Sequence, residues 1–447
     1  MYTGIMLLVS QGLSSSAPST LLVPEFLDMV VTLAPVLLGL AWLLITFFAL
    51  WFARELYGFI IAVPIYLGTI KYTILQVVLP EDAEETPKSM EDAISHWGGI
   101  HYNPDVKERY FDGFVDWWYS LEVQCTPEKV RYFLFIPTIF RPFFEGVIYG
   151  QYPEAEIQEA EDYTLNYDYR RVRQDFEVYG TDMILSLDDV YPIRSYTQYG
   201  DPLSPTETFI DPHQSMIEAY SNVNPGEEYW FQVIVWPASP AKKKSWVAKG
   251  EKEIAQITGR AKEAGPGFFK QLRKFFTRIP QEVVNVLRGR HASAGEEGEE
   301  QLDVHFFDPV ETIKMESILR KISRDVYRCM VRLIYIAPKG KLHKPNIGRA
   351  IGPFKQFWGA NAFRPDPKTK SNGVDYIMKE RRRLYRERTI LAEYQWRDPL
   401  GMGRGPYMLT AEEVATVYHF PTKWIQAPVL ERAKAGTYSA PEEVPYV

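Results

Sequence analysis

The sequence has 447 residues, a formal net charge of −7 and two cysteines, with 46% hydrophobic and 24% charged residues. The acidic balance argues against a nucleic-acid binder that uses the whole chain, although it leaves room for a local basic patch. Two cysteines, Cys125 and Cys329, form neither a disulfide framework nor a cysteine-rich zinc site. Both lie in apolar alternating runs, which predicts two buried free thiols and favours a reducing compartment.

Residues 29–53 contain no Asp, Glu, Lys or Arg. A helix of that length covers ~37 Å at ~1.5 Å per residue, which exceeds a hydrocarbon core of ~30 Å. Pro35 and Gly39 are tolerated in membrane helices, and Trp51 suits the membrane interface. The sequence therefore predicts a transmembrane helix over 29–53, preceded by an extracytoplasmic segment over 1–28.

The charge on either side of this segment predicts its orientation. Residues 1–28 carry no Lys or Arg, whereas Arg54, Lys71 and Lys88 follow the helix. The positive-inside rule then places the N-terminus outside and the bulk of the chain in the cytoplasm, as a single-pass protein of the inner membrane. Residues 54–70 are interpreted as an apolar juxtamembrane continuation, because the uncharged run 56–70 is short for a span. A second span there is the alternative, and it would reverse the topology.

Residues 71–165 follow the order β-α-β-β-α-β. Strands are predicted over 71–79, 119–125, 130–136 and 155–161, with 119–125 half-buried because its residues alternate apolar and polar. Helices are predicted after Thr86-Pro87 and over 139–149. This order is typical of a split βαβ, or ferredoxin-like, domain.

A second α+β domain is predicted over 166–240 and 304–399. Asp211-Pro212 and Asp308-Pro309 resemble helix starts, with proline at the first helical position. Strands are predicted over 229–236, 327–337 and 389–396, and a helix over 346–358. The fold class is therefore α+β: a transmembrane helix, two ferredoxin-like units and a basic helical insertion. Residues 400–447 are interpreted as an extended tail.

The insertion, residues 241–303, carries opposite charges at its two ends. Residues 242–290 have 13 Lys or Arg and 4 Glu, a net charge of +9, and 296–303 have a net charge of −5. A basic amphipathic helix there would suit an anionic membrane surface or another anionic partner. A solvated insertion and a nucleic-acid contact are the alternatives. The candidate contact residues are Phe268, Phe269, Lys270, Arg273, Lys274, Phe275, Phe276 and Arg278.

The sequence predicts no catalytic centre, cofactor or metal site. It has no Walker-type G-x-x-x-x-G-K-[ST] run and no G-x-S-x-G elbow. Its seven histidines do not form a ligand set, since His96 and His101 lack a third partner. Glu154, Glu156, Glu159, Glu161 and Asp162 are interpreted as a charged solvent-facing edge.

Several separate blocks resemble one known family. They cover 70–80, 86–91, 119–123, 149–157, 161–163, 211–220, 227–237 and 409–421, the last ending in Tyr418, His419, Phe420 and Pro421. The chain resembles the membrane-linked module found beside or fused to type IV secretion or conjugation-like DNA-transfer ATPases of candidate-phyla (Patescibacteria-type) bacteria. The insertion at 242–303 and the apolar run at 56–70 depart from that pattern.

The resemblance implies a non-enzymatic scaffold or adaptor that recruits a separate P-loop ATPase to the bilayer, and a homo-oligomer is compatible with that role. The block from Tyr418 to Pro421 is interpreted as a docking segment for a partner or for the chain's own domain. Two alternatives stay open: a membrane-surface enzyme, and a nucleic-acid-guiding subunit that uses the basic insertion.

Overall fold

A computed structural model describes residues 22–80, 83, 85–200, 211–221, 223–257, 309–373, 376–399, 405–421 and 430–431, with side chains from residue 32 onward. The fold is mixed α+β, as predicted, and divides into two compact units. The first contains residues 1–69 and 104–115, and the second contains the rest. Cys125 and Cys329 are buried free thiols, which confirms that prediction.

The first unit is built on a long apolar helix. Helix α1 (Leu22–Tyr57) continues through a π-helical turn (Gly58–Ala62) into α2 (Val63–Thr69). The 38 residues Thr32–Thr69 have a mean hydropathy of 2.4 over their most apolar window, none of which is buried within the protein. At ~1.5 Å per residue this helix measures ~57 Å. In the described part of the chain it is the one helix long and apolar enough to span a membrane.

Helical structure thus runs without a gap from α1 to Thr69; the juxtamembrane location of 54–70, and the alternative of a second span there, stay predictions. Arg54 and Glu55 pair with one another at 2.5 Å within it. The π-helical turn lies just before Pro64, whose missing N–H and bulky ring disturb the regular α-helical ladder. One wider turn accommodates the proline without ending the helix.

A short segment packs on this wider turn within the same unit. Helix α4 (Val106–Tyr110), which follows α3 (Pro87–Trp97) of the second unit in chain order, begins with a capping box between Asp105 and Glu108. After it, Gly113 adopts a φ of +72°, and a Cβ built there would lie 2.3 Å from the Ala62 carbonyl carbon. Glycine is thus required both for the backbone conformation and for the close approach.

Gly113→Ala is expected to loosen this contact, because the added methyl group meets backbone atoms that cannot move aside. Local amide hydrogen exchange over 107–114 should become faster than in the wild-type chain. Gly340→Ala is the matched control, since Gly340 has a φ of +77° but no heavy atom within 4 Å of its ideal Cβ. Equal local effects of the two substitutions would show that only the backbone conformation matters.

The second unit contains one antiparallel sheet, which has nine strands within the described residues. Its strands are β1 (Tyr72–Val78), β2 (Tyr119–Cys125), β3 (Val130–Pro137), β4 (Glu156–Glu159), β5 (Phe176–Leu185), β6 (Glu228–Pro237), β7 (Val326–Pro338), β8 (Phe363–Pro365) and β9 (Tyr407–Thr410). The strand order is β4-β1-β3-β2-β6-β7-β5-β8, and β9 pairs with β7. The boundary predicted at residue 165 does not divide this sheet, because β2 pairs with β6 along its whole length.

Helices cover both faces of the sheet. They are α3 (Pro87–Trp97), α5 (Arg141–Gln151), α6 (Gln214–Ser221), α7 (Pro240–Ile257), α8 (Pro309–Ile322), α9 (Lys344–Ile351), α10 (Lys379–Gln395) and α11 (Ala411–Val417). The larger core includes residues of α3, α5, α6, α9 and α11. The opposite face packs against Ile390, Leu391 and Tyr394 of α10. Helices α7 and α8 share a third cluster through Trp246, Ile254, Met315 and Ile318.

The structure corrects three predictions. Residues 389–396, predicted as a strand, lie in and just after α10, because Ile390, Leu391 and Tyr394 share its buried face at helical spacing. The extended tail predicted over 400–447 is wrong for 407–417, where β9 runs into α11 through a capping box between Thr410 and Glu413. Strand β2 is buried on both faces rather than half-buried: on its polar side, Glu122 binds Arg397, just after α10, and Gln124 binds Glu228.

Candidate functional site

A row of polar side chains crosses the centre of the sheet on the face covered by α10. Glu122 of β2 pairs in register with Gln232 of β6, which pairs with Arg332 of β7, which pairs with Asp182 of β5. All four side chains are buried. Buried polar groups need partners, because an unpaired one loses its hydration without compensation.

Arg397, just after α10, supplies the largest set of contacts to this row. Its Nε and Nη2 donate to the Glu122 carboxylate at 2.9 and 3.1 Å. The same guanidinium also binds both oxygens of Asp162, which follows β4, and its Nη1 donates to the Gln395 carbonyl at 2.8 Å. Its Cζ lies 4.6 Å from the centroid of the Phe135 ring. One side chain thus joins the end of α10 to β2, to β3 and to the segment that follows β4.

Glu122 is the most heavily coordinated acid of the row. Besides Arg397, it accepts hydrogen bonds from Tyr163 Oη at 2.8 Å, from Gln232 Nε2 at 2.9 Å and from the Ser120 hydroxyl. Tyr163 Oη lies 2.9 Å from the Tyr394 hydroxyl. The carboxylate is fully buried, but its charge is compensated by a cation and three neutral donors.

Arg332 forms the second ionic centre. Its Nε donates to Asp182 Oδ1 at 2.7 Å, and its Nη1 donates to the Glu393 carbonyl, near the end of α10, at 2.7 Å. Asp182 Oδ2 has no hydrogen-bond partner among the described residues. Burial raises the pKa of Asp182 above its ordinary value, since Arg332 compensates only part of the lost hydration.

The pKa of Asp162 shifts in the opposite direction to that of Asp182. Burial alone would raise its pKa, but the hydrogen bonds and the charge of Arg397 outweigh that effect and hold the pKa below its usual range. Arg397 therefore holds Asp162 ionised, whereas Arg332 only partly compensates the burial of Asp182. Removing one member of such a buried pair is costly, whereas the intact pair contributes chiefly to a single defined packing. The geometry of these contacts fits a structural role, in which they position α10 against the sheet.

A second buried cluster contains the predicted docking block. Tyr418, His419, Phe420 and Pro421 are all buried in their own domain, against the side of the sheet that carries the larger core. His419 Nε2 lies 2.9 Å from Asp211 Oδ1, and His419 Nδ1 lies 2.8 Å from the Ala415 carbonyl. Burial opposes ionisation of Asp211, but His419 and the His213 N–H lower its pKa to about 2.

His213 lies beside this pair, with its ring centroid 5.1 Å from that of His419. Neither ring nitrogen has a hydrogen-bond partner among the described residues. Burial, with the charge of His419 adding to it, lowers the pKa of His213 to about 3. His213 is therefore neutral in the folded state at ordinary pH.

This burial predicts a pH dependence of stability. An unfolded histidine titrates near pH ~6.5, so below that pH the unfolded state binds a proton that folded His213 rejects. Above that pH, His213 therefore does not lower the free energy of unfolding. Below it, the free energy of unfolding falls by about 1.4 kcal/mol per pH unit as the pH approaches 3. In the His213→Phe variant, the urea midpoint should therefore change less between pH 6.5 and 4.5 than it does in the wild type.

The exposed His96 provides the control for this experiment. His96→Gln also removes one imidazole, but from an exposed position. Its midpoint should follow the wild-type pH profile. If the His213→Phe profile also stays parallel to the wild type, then His213 is protonated equally in both states and the explanation is wrong.

A surface pocket of about 190 Å³ lies between α8 and the start of α11. Its charged lining has three cations and three acids: Arg320, Lys321, Arg324, Glu316, Glu412 and Glu413. Lys321 Nζ lies 3.0 Å from Glu413 Oε2, and Arg320 Nη2 lies 3.2 Å from Glu412 Oε1. Arg324 also pairs with Glu412. The formal charges of the residues that line the pocket therefore sum to zero.

The remaining predicted sites fall into two groups. The eight candidate contact residues between Phe268 and Arg278 lie outside the described residues. The acidic block does form a sheet edge, because β4 is the terminal strand and Glu156 and Glu159 are exposed on it. Asp162 differs from its neighbours, since it turns inward to Arg397. No group of three potential metal ligands occurs among the residues described.

Neither the models of known protein families nor the curated proteins contain a match to this chain. Its class therefore follows from the fold itself. It is an α+β protein whose N-terminal helix has the length and composition of a membrane span and whose second unit is an antiparallel sheet.

Proposed function

We propose that this chain is a membrane-anchored scaffold or adaptor, without catalytic activity of its own, in a type IV secretion or DNA-transfer-like apparatus. The carrying observation is the uninterrupted apolar helix, which ends at Thr69 and is followed at Tyr72 by the first strand of the sheet. Because only two residues connect the helix to the first strand, the sheet unit stays tethered to the bilayer once the helix is inserted.

The structure of the sheet supports a scaffold that binds partners through its outer surface. Its buried charges bind one another, and its terminal strands resist strand addition. Strand β4 presents exposed glutamates, and β8 has only three residues and ends in Pro365. A partner would therefore bind helices or loops rather than extend the sheet.

The strand orders support a further proposal about the fold. We infer two split βαβ units, β4-β1-β3-β2 and β8-β5-β7-β6, which join through β2 and β6. All neighbouring strands within each set are antiparallel, as that topology requires. A helix also follows the first and third strand of each set.

Partner recruitment is tested on the full-length protein in detergent. Affinity purification from its own host after chemical crosslinking should recover a P-loop ATPase, and the chain alone should hydrolyse no ATP. An unrelated single-span protein with the same tag is the control. A monodisperse monomer that crosslinks to no ATPase would remove the recruitment proposal but leave the membrane anchor intact.

The proposed orientation has a separate test, since both native cysteines are buried. Ser14→Cys should react with a membrane-impermeant maleimide in intact cells, whereas the exposed Leu187, changed to Cys, should react only after lysis. Labelling in the reverse pattern would place the sheet outside and overturn the cytoplasmic assignment.

One observation favours an enzyme acting at the membrane surface as the second candidate function. The pocket beside α8 gathers titratable groups of both signs, together with Ser195 and Ser317. Lipid or cell-wall precursors incubated with the full-length protein would test it. Turnover that is lost in the exposed pocket variant Glu316→Gln, but retained in Leu187→Cys, would favour the enzyme over the scaffold.

A further inference from the structure

Helix α10 begins beside an exposed apolar tip. Tyr376, Ile377 and Met378 are consecutive, and their exposed fractions are 52%, 82% and 64%. Tyr385, two turns further along, is 61% exposed. Single exposed apolar residues are ordinary, but three consecutive exposed ones are typical of a binding surface.

Basic residues surround this tip. The first ten positions of α10 contain six cations and two acids: Lys379, Arg381, Arg382, Arg383, Arg386 and Arg388 against Glu380 and Glu387. Both acids already bind Arg173, each at 2.6 Å. Glu387, which is almost fully buried, also accepts from Arg383 at 3.0 Å. The acids of the helix are thus neutralised from within the domain.

The outward face of α10 is consequently cationic. Met378, Arg381, Arg382 and Tyr385 recur at spacings of three and four and are all exposed, whereas Leu391 and Tyr394 face the core. Neither Arg381 nor Arg382 has an acidic partner among the described residues; the Arg382 guanidinium lies 4.8 Å from the Tyr376 ring centroid. Apolar and cationic groups therefore project from one continuous surface.

This combination matches the interface of an anionic bilayer. Aliphatic side chains enter the boundary between headgroups and acyl chains, tyrosines lie at the headgroup level, and arginines bind lipid phosphates. A nucleic acid would offer the same phosphates, but it has no apolar layer to receive Ile377 and Met378. Tyr376 and Tyr385 would also suit the base stacking of a single-strand binder, so Ile377 and Met378 are the residues that favour lipid.

We propose that the surface formed by residues 376–378, Arg381, Arg382 and Tyr385 is a second, peripheral membrane contact that binds anionic lipid headgroups. This inference rests on the proposed membrane anchor, which holds the sheet near a bilayer. The contact would fix the orientation of the sheet on the cytoplasmic leaflet and make that orientation depend on lipid charge. It is separate from the basic segment predicted at 268–278.

The test uses full-length protein carrying Ile377→Cys, labelled with a polarity-sensitive fluorophore and reconstituted in nanodiscs. Only the introduced thiol is exposed among the described cysteines, so labelling is selective. In discs that contain phosphatidylglycerol, the emission should shift to shorter wavelength and iodide quenching should fall. Phosphatidylcholine discs, or 0.5 M salt with a Debye length of roughly 4 Å, should reverse both changes.

Two matched variants complete the design. Leu187→Cys carries the same label on an exposed apolar position beside Asp188 and Asp189, and it should show no response to lipid charge. Ile377→Cys with Arg381→Glu and Arg382→Glu should lose the response while the protein still co-elutes with the discs.

Each outcome has a distinct meaning. Protein that fails to co-elute with discs contradicts the anchor, whereas co-elution with an unchanged Ile377→Cys spectrum overturns only the peripheral contact. A spectrum that responds to a single-stranded oligonucleotide but not to phosphatidylglycerol would overturn it in favour of nucleic acid. An equal response at Leu187→Cys would show a nonspecific effect of lipid charge and would also reject the site.

Discussion

Replacing Arg397 with methionine is expected to destabilise the sheet unit by about 3–5 kcal/mol, the range for breaking a buried ion pair by removing one partner. Glu122 is fully buried, and Asp162 is mostly so. Without the guanidinium, both carboxylates lose their cation while staying out of water. The urea midpoint of the full-length protein in detergent, followed by tryptophan fluorescence, should fall accordingly.

Two comparisons isolate the electrostatic cause. Arg381→Met alters an exposed arginine of α10 and should change stability by less than about 0.5 kcal/mol. Glu122→Gln combined with Arg397→Met removes a buried charge of each sign, so part of the loss should be restored. An Arg397→Met midpoint equal to that of Arg381→Met would mean that the buried row contributes nothing to stability.

The central strands could be predicted because their pattern is local. In β2, Tyr119, Leu121 and Val123 alternate with polar residues, and the structure places the strand where that alternation indicates. The same alternation misled the prediction of burial, because Ser120, Glu122 and Gln124 were assigned to solvent. Glu122 is enclosed by Tyr163 and Arg397, which lie far along the chain, so the local sequence does not indicate its burial.

Helix α10 shows how local patterns compete. Residues 389–396 contain enough apolar and aromatic residues to resemble a strand, but the preceding run of Lys, Arg and Glu has high helix propensity. Extending the window to Leu384 and Glu387 would have shown the spacing of three and four that buries Leu391 and Tyr394. For α11, the usable signal was Thr410 followed by Glu413, a capping box that the prediction of an extended tail overlooked.

The polar row itself could be suspected but not assembled from sequence. One polar residue in the middle of an apolar strand, as in Gln232 or Arg332, suggests a buried partner. Which residues meet depends on the register of four strands that come from distant parts of the chain. The pairing of Arg397 with Asp162 depends in addition on how the turn after α10 is placed.

The apolar helix predicts the other large effect. Leu43→Arg places a charge near the middle of the uncharged stretch 29–53, where Leu43 is 68% exposed within the protein and would face lipid. A charged residue at the centre of a span costs about 2.5–3.5 kcal/mol of insertion free energy, on the order of a hundredfold in the equilibrium. The fraction of chain that resists carbonate extraction from membranes should therefore drop strongly.

The controls separate insertion from folding. Leu43→Ile keeps the apolar character and should leave the carbonate-resistant fraction unchanged, while Leu187→Arg adds the same charge to the sheet unit and should also have no effect. If Leu43→Arg remains as resistant as the wild type, the span lies elsewhere along Thr32–Thr69, and Ile60→Arg should then release the protein. If neither arginine reduces the membrane fraction, the helix is held by protein rather than by lipid. The sheet unit would then need another source of attachment, because a short linker confines it near the bilayer only when this helix is inserted.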